Sequence, residues 1–391
     1  MSEQMNAAQE VAAMVARARA AQEQIADYTQ EQVDELITAM VYSVAREDRS
    51  EEIARFTVEE TQLGNYEGKY LKIHRKTRAT LLDIINDKSV GVIEELPERN
   101  IVKIAKPVGV IGALSPSTNP EATPVIKAIS AVKGRNAIII APHPRAKLTN
   151  KMICDYMREA IVAMGAPADL VQSIDVPSLD KTNELMRQCD RILATGGEAM
   201  VSAAYSSGTP ALGVGVGNAV ITVDDTANLE EAAEKIRISK TLDLAASCSS
   251  DNSVLVFESI YEEFLEKLKH EGGFIVDGDD KSKLQSVIWQ DGHLNAAIVA
   301  QHATTIAGRA GIDLPEGKQF FIVPEVGAGP DYPFSGEKLT VTMALYKVRD
   351  IDEAIELTNR IQAYQGQGHS CGIYSNNDDN ILKLALATRT S

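Results

Sequence analysis

The chain has 391 residues, 44% of them hydrophobic, which is enough to bury two sizeable cores, and its formal net charge is -16. That acidity argues against nucleic acid or an anionic membrane as partner, and no apolar run approaches membrane-spanning length. Four widely separated cysteines with no C-x-x-C pair suggest neither a zinc site nor a disulfide framework. The N-terminus lacks the basic and then apolar stretch of an export signal, so a cytoplasmic protein is expected.

Residues 5–87 read as helices. Val11 and Val15 stand at helical spacing, Thr29-x-x-Gln32 is a capping box, and Val33, Leu36, Ile37, Met40 and Val44 follow at i, i+3, i+4. Ser50 and Gly64 bracket a third helix as cap and stop. From Ser89 the pattern changes, and the runs 90–93 and 101–105 around Pro97-Glu-Arg-Asn100 predict two strands about a turn. Between Pro107 and about Asp224, apolar runs at 108–113, 137–140, 191–194 and 219–223 alternate with helical stretches. This alternation predicts a parallel, doubly wound sheet whose ligands lie at the carboxyl ends of the strands. A helix after Asn228 then leads to the small-residue run Asp243–Asn252 and the strand Ser253–Phe257, and a second α/β region continues to the end. The expected domains are 1–228, helices plus a dinucleotide-binding domain, and 229–391, a catalytic domain.

Cys248 lies in that small-residue run. A thiolate reacts where it is exposed and electrostatically favoured, and a loop between helix and strand offers access and backbone N–H groups. A lone cytosolic cysteine more often packs as a small hydrophobe, so the neighbouring loops have to decide. After the strand at 108–113 comes Leu114-Ser-Pro-Ser-Thr-Asn-Pro120, where Asn119 is a neutral carboxamide able to donate to an oxyanion. The next strand delivers Ala141-Pro-His-Pro-Arg145, with His143 and Arg145 placed to reach a ribose or phosphate. Thr195-Gly-Gly197 would let the backbone approach a phosphate at a helix start. Gly213-Val-Gly-Val-Gly-Asn218 lacks the G-x-G-x-x-G spacing and precedes a strand, so close backbone approach is the better reading. Late in the chain, Gly366-Gln-Gly-His-Ser370 carries His369 and Gly336-Glu-Lys-Leu339 carries Glu337. There is no metal-ligand spacing, nucleophile elbow or phosphate-binding P-loop, which removes hydrolases of those types and kinases.

In this order, Thr118-Asn-Pro120, the run 133–147, Ala194-Thr-Gly-Gly197, Ala204-Tyr-Ser-Ser-Gly208, the run 213–218, Glu337-Lys-Leu339 and Gly368-His369 resemble the CoA-acylating aldehyde dehydrogenases over nearly the whole chain. The resemblance implies an α/β, aldehyde dehydrogenase-like fold of two doubly wound parallel-sheet domains, one for the cofactor and one catalytic, with a helical N-terminus. It implies that Cys248 attacks the aldehyde while Asn119 and the Cys248 backbone N–H hold the oxyanion. Hydride then passes to NAD or NADP, and the remaining thioester goes to coenzyme A. Gly196 and Gly197 would line the nicotinamide and diphosphate end, His143 to Arg145 the adenosine ribose end, and Glu337 the nicotinamide ribose. Ser115, Thr118, Pro144, Thr195, Gly215 and Gly217 complete the implied cofactor-binding set. Arg145 leaves NADP open, because a guanidinium can meet a 2′-phosphate.

Hydrolytic relatives carry a glutamate base in the segment that here reads Gly213–Asn218. Without that base the thioester should wait for the thiol of CoA, with His369 the candidate for assisting it. Many relatives have Asn-Gly shortly before the nucleophile and Glu three residues after it; here the corresponding residues are Leu-Ala-Ala-Ser247 and Asp251. Thr340-Val341 stands where Ser-Pro is usual. The hydroxyls of Ser247, Ser249 and Ser250 suit an anionic substituent, and Ala246-Ser-Cys-Ser-Ser250 is similar to the sulfoacetaldehyde-using members. The expected reaction is sulfoacetaldehyde to sulfoacetyl-CoA, with acetaldehyde and succinate semialdehyde as alternatives. Relatives continue past the point matching Ser391 with a segment that completes the cofactor domain and exchanges a strand between subunits, so a homo-oligomer is expected where it is present. An acyl-phosphate reductase of the same superfold and a non-catalytic nucleotide-binding or assembly module remain the competing readings.

Overall fold

The computed structural model describes residues 5–390. The chain forms two compact units, the first ending at Gly215 and the second beginning at Val216, with Leu63–Asn65 belonging to the second.

The first unit opens with α1 (Ala7–Gln24), α2 (Gln30–Ala45), α3 (Glu47–Thr61), α4 (Tyr66–Lys72) and α5 (Arg78–Ile85). The capping box at α2 is formed: the Thr29 hydroxyl accepts from Gln32 N, and Gln32 Oε1 accepts from Thr29 N. Its periodic positions Val33, Leu36, Ile37, Met40 and Val44 are all buried. Ser50 is not the cap of α3. It lies inside the first turn, buried, its hydroxyl donating to Glu47 O at 3.0 Å. The reason is that Arg46 alone joins α2 to α3, closing one and opening the other, so no free cap position exists. The helix ends on Gln62 in the left-handed region, two residues before Gly64. An antiparallel hairpin follows, β1 (Gly91–Leu96) and β2 (Ile101–Ala105), turned at Asn100 with φ +55°.

The sheet of this unit is wholly parallel. Its strands are β3 (Val110–Ser115), β4 (Ala137–Pro142), β5 (Val171–Ser173), β6 (Arg191–Thr195) and β7 (Ala211–Val214), in the order β5-β4-β3-β6-β7. The helices α6 (Thr123–Lys133), α7 (Lys147–Ala163), α8 (Leu179–Gln188) and α9 (Glu198–Tyr205) connect them. The sheet positions Ile138, Ile139 and Ile140 are fully buried, which explains the unbroken apolar run. The sequence pattern did not reveal β5, three residues long, or β7, which runs into the glycine-rich segment.

One strand moves. Ala219–Val223, expected to continue the first sheet, is β8 of the second, pairing with β9 and β15. Only residues 215–218 separate it from β7, far short of the dozen or so that a parallel crossover needs. The packing boundary therefore falls at 215/216 and not at 228.

The second unit contains β8 (Ala219–Val223), α10 (Leu229–Thr241), β9 (Asp251–Phe257), α11 (Tyr261–His270), β10 (Gly273–Ile275) and α12 (Gly278–Ile288). A short hairpin of β11 (Trp289–Gln290) and β12 (His293–Leu294) is followed by α13 (Ala303–Ala310), β13 (Phe320–Pro324), β14 (Thr342–Val348), α14 (Ile351–Tyr364), β15 (Cys371–Tyr374) and α15 (Asp378–Ala387). Its six-stranded sheet is parallel throughout, in the order β10-β13-β14-β9-β8-β15. Leu63 is packed into this unit's core. No described helix is long and apolar enough to cross a membrane.

Candidate active site

In the first sheet the chain runs from β3 outward through β4 to β5, then returns to the other side of β3 for β6 and β7. The switch point lies between β3 and β6, and the loops leaving their carboxyl ends carry Ser115–Asn119 and Thr195–Gly197. Ser115 is buried and its Oγ has no hydrogen-bond partner. Gly197 caps α9, and a Cβ built there would meet nothing within 4 Å, so the backbone is open to a close ligand. Thr195 is half-buried at the end of β6, Gly196 follows it, and Gly215 closes the unit with only Val201 near its Cβ position.

After β4, His143, Pro144 and Arg145 are exposed. His143 Nδ1 accepts from Arg145 N at 3.1 Å, capping a short 3-10 turn, and Arg145 Nη2 donates to Thr61 O at 2.6 Å. Partial desolvation first, and the Arg145 charge second, hold the imidazole below its ordinary pKa.

Asn119 is held from within the same unit. Lys72 Nζ donates to its Oδ1 at 2.7 Å, and its Nδ2 donates to Thr118 Oγ1 at 3.2 Å. Lys69 Nζ donates to Thr118 O at 2.8 Å. Both ammonium groups are buried beside the equally buried carboxylate of Glu121, at 3.5 Å for Lys69 and 3.7 Å for Lys72. Lys127, also buried, ties the carboxyl ends of β3 and β6 by donating to Leu114 O at 2.6 Å and Leu193 O at 2.8 Å, and burial lowers its pKa to about 7.

In the second unit the candidates stand at the opposite end of their strands. Gly217, Cys248, Glu337 and His369 precede β8, β9, β14 and β15, which are neighbours in the sheet, so their amino-end loops cluster. Cys248 is half-buried. A Cβ on Gly217 would fall 2.4 Å from Cys248 O and 2.6 Å from its Cβ, which is the close backbone approach expected of the glycine run. Glu337 Oε1 accepts from Gly217 N at 3.0 Å. Burial raises that carboxyl to about 7, with the Gly217 hydrogen bond, Lys240 and Lys338 pulling the other way. His369 is half-buried, its Nδ1 paired with Ser370 Oγ at 2.9 Å, and desolvation lowers its pKa, which keeps the ring neutral at pH 7. Ser247 Oγ and Ser249 Oγ pair at 3.0 Å on either side of the thiol.

A polar knot fastens these loops, a role the sequence did not show, although Asn218, Glu337 and Gly366 lie in segments it had singled out. Asn218 Nδ2 donates to Ser335 O at 2.8 Å and Gln365 O at 3.1 Å. Asn252 Nδ2 donates to Asn218 Oδ1 and, at 2.7 Å, to Gly336 O. Gln365 Oε1 accepts from Glu337 N at 2.8 Å. A Cβ on Gly366 would lie 2.5 Å from Asn218 Cβ, so that glycine, at φ +88°, is sterically required. Around it lie buried titratable groups: burial lowers Lys240 to about 8, lowers Lys338 well below the usual lysine range, and raises Asp251 to about 6. A lysine within a helix, such as Lys240, resembles an ordinary surface residue in one sequence, which is why its burial escaped notice. Among the described residues no group of His, Cys, Asp or Glu is arranged to hold a metal ion.

Comparison with known proteins adds the following. The profile of the aldehyde dehydrogenase family matches residues 2–391. The chain is 43% identical over 382 residues to a sulfoacetaldehyde dehydrogenase from Acholeplasma sp, covering 96% of this chain and 79% of that protein. It superposes on the crystal structure of an acetylating aldehyde dehydrogenase from Geobacillus thermoglucosidasius with a TM-score of 0.94 and 37% identity, over 98% of this chain and 85% of that one. A propionaldehyde dehydrogenase from Rhodopseudomonas palustris, solved with bound CoA and an acylated cysteine, matches with a TM-score of 0.84 and 26% identity over 97% of this chain and 86% of that one.

Proposed function

The chain belongs to the aldehyde dehydrogenase family and is an oxidoreductase of its acylating branch; on that premise we propose that it oxidises sulfoacetaldehyde to sulfoacetyl-CoA through a thioester on Cys248. The observation that carries the reading is the placement of Cys248 among the four thiols. Cys154 and Cys189 are buried, and burial raises both thiols to about 12, which leaves them inert. Cys371, half-buried like Cys248, stands in β15 with its Sγ paired to Thr388 Oγ1 at 3.4 Å and Thr390 Oγ1 at 3.3 Å. Cys248 is half-buried, stands before β9 with hydroxyls on both sides, and has the Gly217 backbone packed against it.

The residues fit a nicotinamide dinucleotide and the CoA cosubstrate that the family implies. Ser115 offers a buried hydroxyl without a protein partner, and Gly197 opens the backbone ahead of α9 at the switch point of a doubly wound sheet. Thr118, Thr195, Gly196 and Gly215 border these loops, while His143, Pro144 and Arg145 present polar groups after β4. Glu337 would accept a hydrogen bond from a ribose hydroxyl. When bound, NAD or NADP supplies the hydride acceptor.

The Cys248 thiolate forms a C–S bond with the aldehyde carbon, and the carbonyl oxygen becomes an oxyanion that Asn119 Nδ2 and the Cys248 N–H stabilise. Loss of hydride from that carbon leaves an acyl thioester on Cys248. His369, neutral because its pKa is lowered, accepts the proton of the CoA thiol. The sulfur of CoA then replaces that of Cys248, freeing the thiolate. The segment 213–218 offers no carboxylate to activate water. Sulfoacetaldehyde is preferred to acetaldehyde or succinate semialdehyde because the hydroxyls of Ser247 and Ser249 flank the thiol, and because relatives at 42–43% identity are named for it. The solvent-facing apolar residues of the β1–β2 hairpin suit a homo-oligomer.

The test is reduction of NAD⁺ or NADP⁺ with sulfoacetaldehyde, acetaldehyde and succinate semialdehyde, each with and without CoA. Sustained turnover that needs CoA, is fastest with sulfoacetaldehyde and vanishes in Cys248→Ala is expected. Faster turnover of another aldehyde under matched conditions removes the substrate assignment, and CoA-independent turnover removes the acylating one.

A further inference from the structure

Asn119 is useful to an oxyanion only if its NH₂ edge, and not its carbonyl edge, is presented to the ligand. An isolated carboxamide can turn over, and nothing in an Asn-Pro dipeptide decides between the two faces. In this structure the choice is made from below. Lys72 Nζ lies 2.7 Å from Asn119 Oδ1, and an ammonium has no acceptor, so only the amide oxygen can face it. The reversed amide would set NH₂ against NH₃⁺ in a buried place.

Lys72 is itself fixed. Lys69 and Lys72 are three residues apart on α4 and so share a face. Both are almost fully buried, and Glu121, two residues beyond Asn119, lies within ion-pair distance of both ammonium groups. Burying three charges is justified only if their geometry is fixed by mutual pairing and hydrogen bonds. Lys69 Nζ donates to Thr118 O and Lys72 Nζ to Asn119 Oδ1, in the one loop that carries the amide. A charge-assisted bond to Oδ1 also polarises the amide, making its N–H a stronger donor where negative charge develops.

We propose that Lys72, anchored with Lys69 by Glu121, is a positioning residue that orients and polarises the Asn119 amide for the oxyanion. The inference rests on the role given to Asn119 in the proposed reaction. Lys72 touches neither substrate nor cofactor in this role and acts only through Asn119.

The experiment is a double-mutant cycle in the full-length chain, with Asn119→Ala, Lys72→Met and the pair, measuring the first-turnover rate of nicotinamide reduction, kcat, and KM for CoA. Removing one oxyanion donor typically costs about 10² to 10³ in rate, so Asn119→Ala should fall in that range. Lys72→Met should lower the first-turnover rate and kcat by about 10- to 100-fold, as a partial loss of the same donor, with KM for CoA changed less than about 2-fold. Alkylation of Cys248 by iodoacetamide, which forms no oxyanion, should proceed as in the parent and so separate this effect from a collapsed loop. In the Asn119→Ala background, Lys72→Met should cost less than about 2-fold more. Lys72→Arg and Lys72→Gln keep a donor toward Oδ1 and should recover part of the rate; if the Met variant does not fold, their losses, each absent in the Asn119→Ala background, carry the same conclusion. Full additivity of the two substitutions overturns the proposal while leaving Asn119 in its role. An Asn119→Ala chain with unimpaired first turnover overturns the role of Asn119 and the proposal with it.

Discussion

In the proposed reaction Glu337 answers to burial and to a ligand at once. Its carboxyl is raised to about 7 by desolvation, against the pull of the Gly217 N–H and two lysines. Ribose hydroxyls donate best to the ionised form, so cofactor affinity is expected to increase as pH rises from about 6 to 8, and Glu337→Gln to remove that dependence. Calorimetric titration of the cofactor at several pH values checks this. The same shift has a stability cost of definite sign: the native state holds this proton where the unfolded chain has released it, so the contribution is present in acid and lost as pH rises through about 7. Gly217 makes the opposite point, that a missing side chain can be a requirement. A Cβ there would press on Cys248 at 2.4 Å, and a displacement of about 1 Å in a nucleophile can cost about 10² in rate. Gly217→Ala is therefore expected to lower kcat by about 10²-fold, with a changed rate of Cys248 alkylation as its independent sign. The sequence showed Cys248, Asn119, Glu337 and the glycines as chemical types in loops. It did not show Lys69, Lys72 or Glu121, because a lysine's burial depends on which face of α4 is covered.

The nucleophile loop is entered through an unusual turn. Asp243, Leu244 and Ala245 have φ of +49°, +53° and +62°, three successive residues in the left-handed region. For side chains with a Cβ this costs roughly 1–2 kcal/mol each, so Leu-Ala here needs support from its surroundings. Part of that support is the segment Leu63–Asn65. Asn65 N donates to Asp243 Oδ1 at 3.0 Å, and Gly64, at φ +76°, leaves room for the carboxylate, since a Cβ there would lie 1.8 Å from Oδ1. Gly64→Ala combines a forced clash with an unfavourable φ and should destabilise the second unit by about 2–4 kcal/mol. Trp289, the single tryptophan, packs edge-on against Phe334 in that unit at 5.0 Å, so its fluorescence during urea unfolding reports the loss directly. The β1–β2 hairpin exposes Val92, Val102 and Ile104, each about half accessible. If the proposed homo-oligomer forms through this hairpin, replacing Val102 and Ile104 by Asp and Lys is expected to reduce it to smaller species in light scattering, with little loss of fold because neither packs in a core.

At the scale of the molecule, the candidate residues are divided between two sheets used at opposite ends. The first presents candidates from loops at the carboxyl ends of β3, β4 and β6, the second from loops at the amino ends of β8, β9, β14 and β15. With no carboxylate in 213–218 to activate water, the intact protein without CoA is expected to yield a burst of at most about one reduced nicotinamide per Cys248 and then stall. Rapid mixing with and without CoA checks this stoichiometry. Hydrophobic period, capping and turn chemistry are local, and for that reason the sequence alone determined the helical start, the hairpin, the alternating strands and helices, and the kinds of reactive groups in the loops. Which sheet receives β8, which lysines lose their water, and how Asn218, Asn252 and Gln365 lock four loops together depend on contacts between residues more than thirty positions apart. Only the tertiary structure decided those, because burial and hydrogen-bond partnership are properties of the packed chain and leave no period in its sequence.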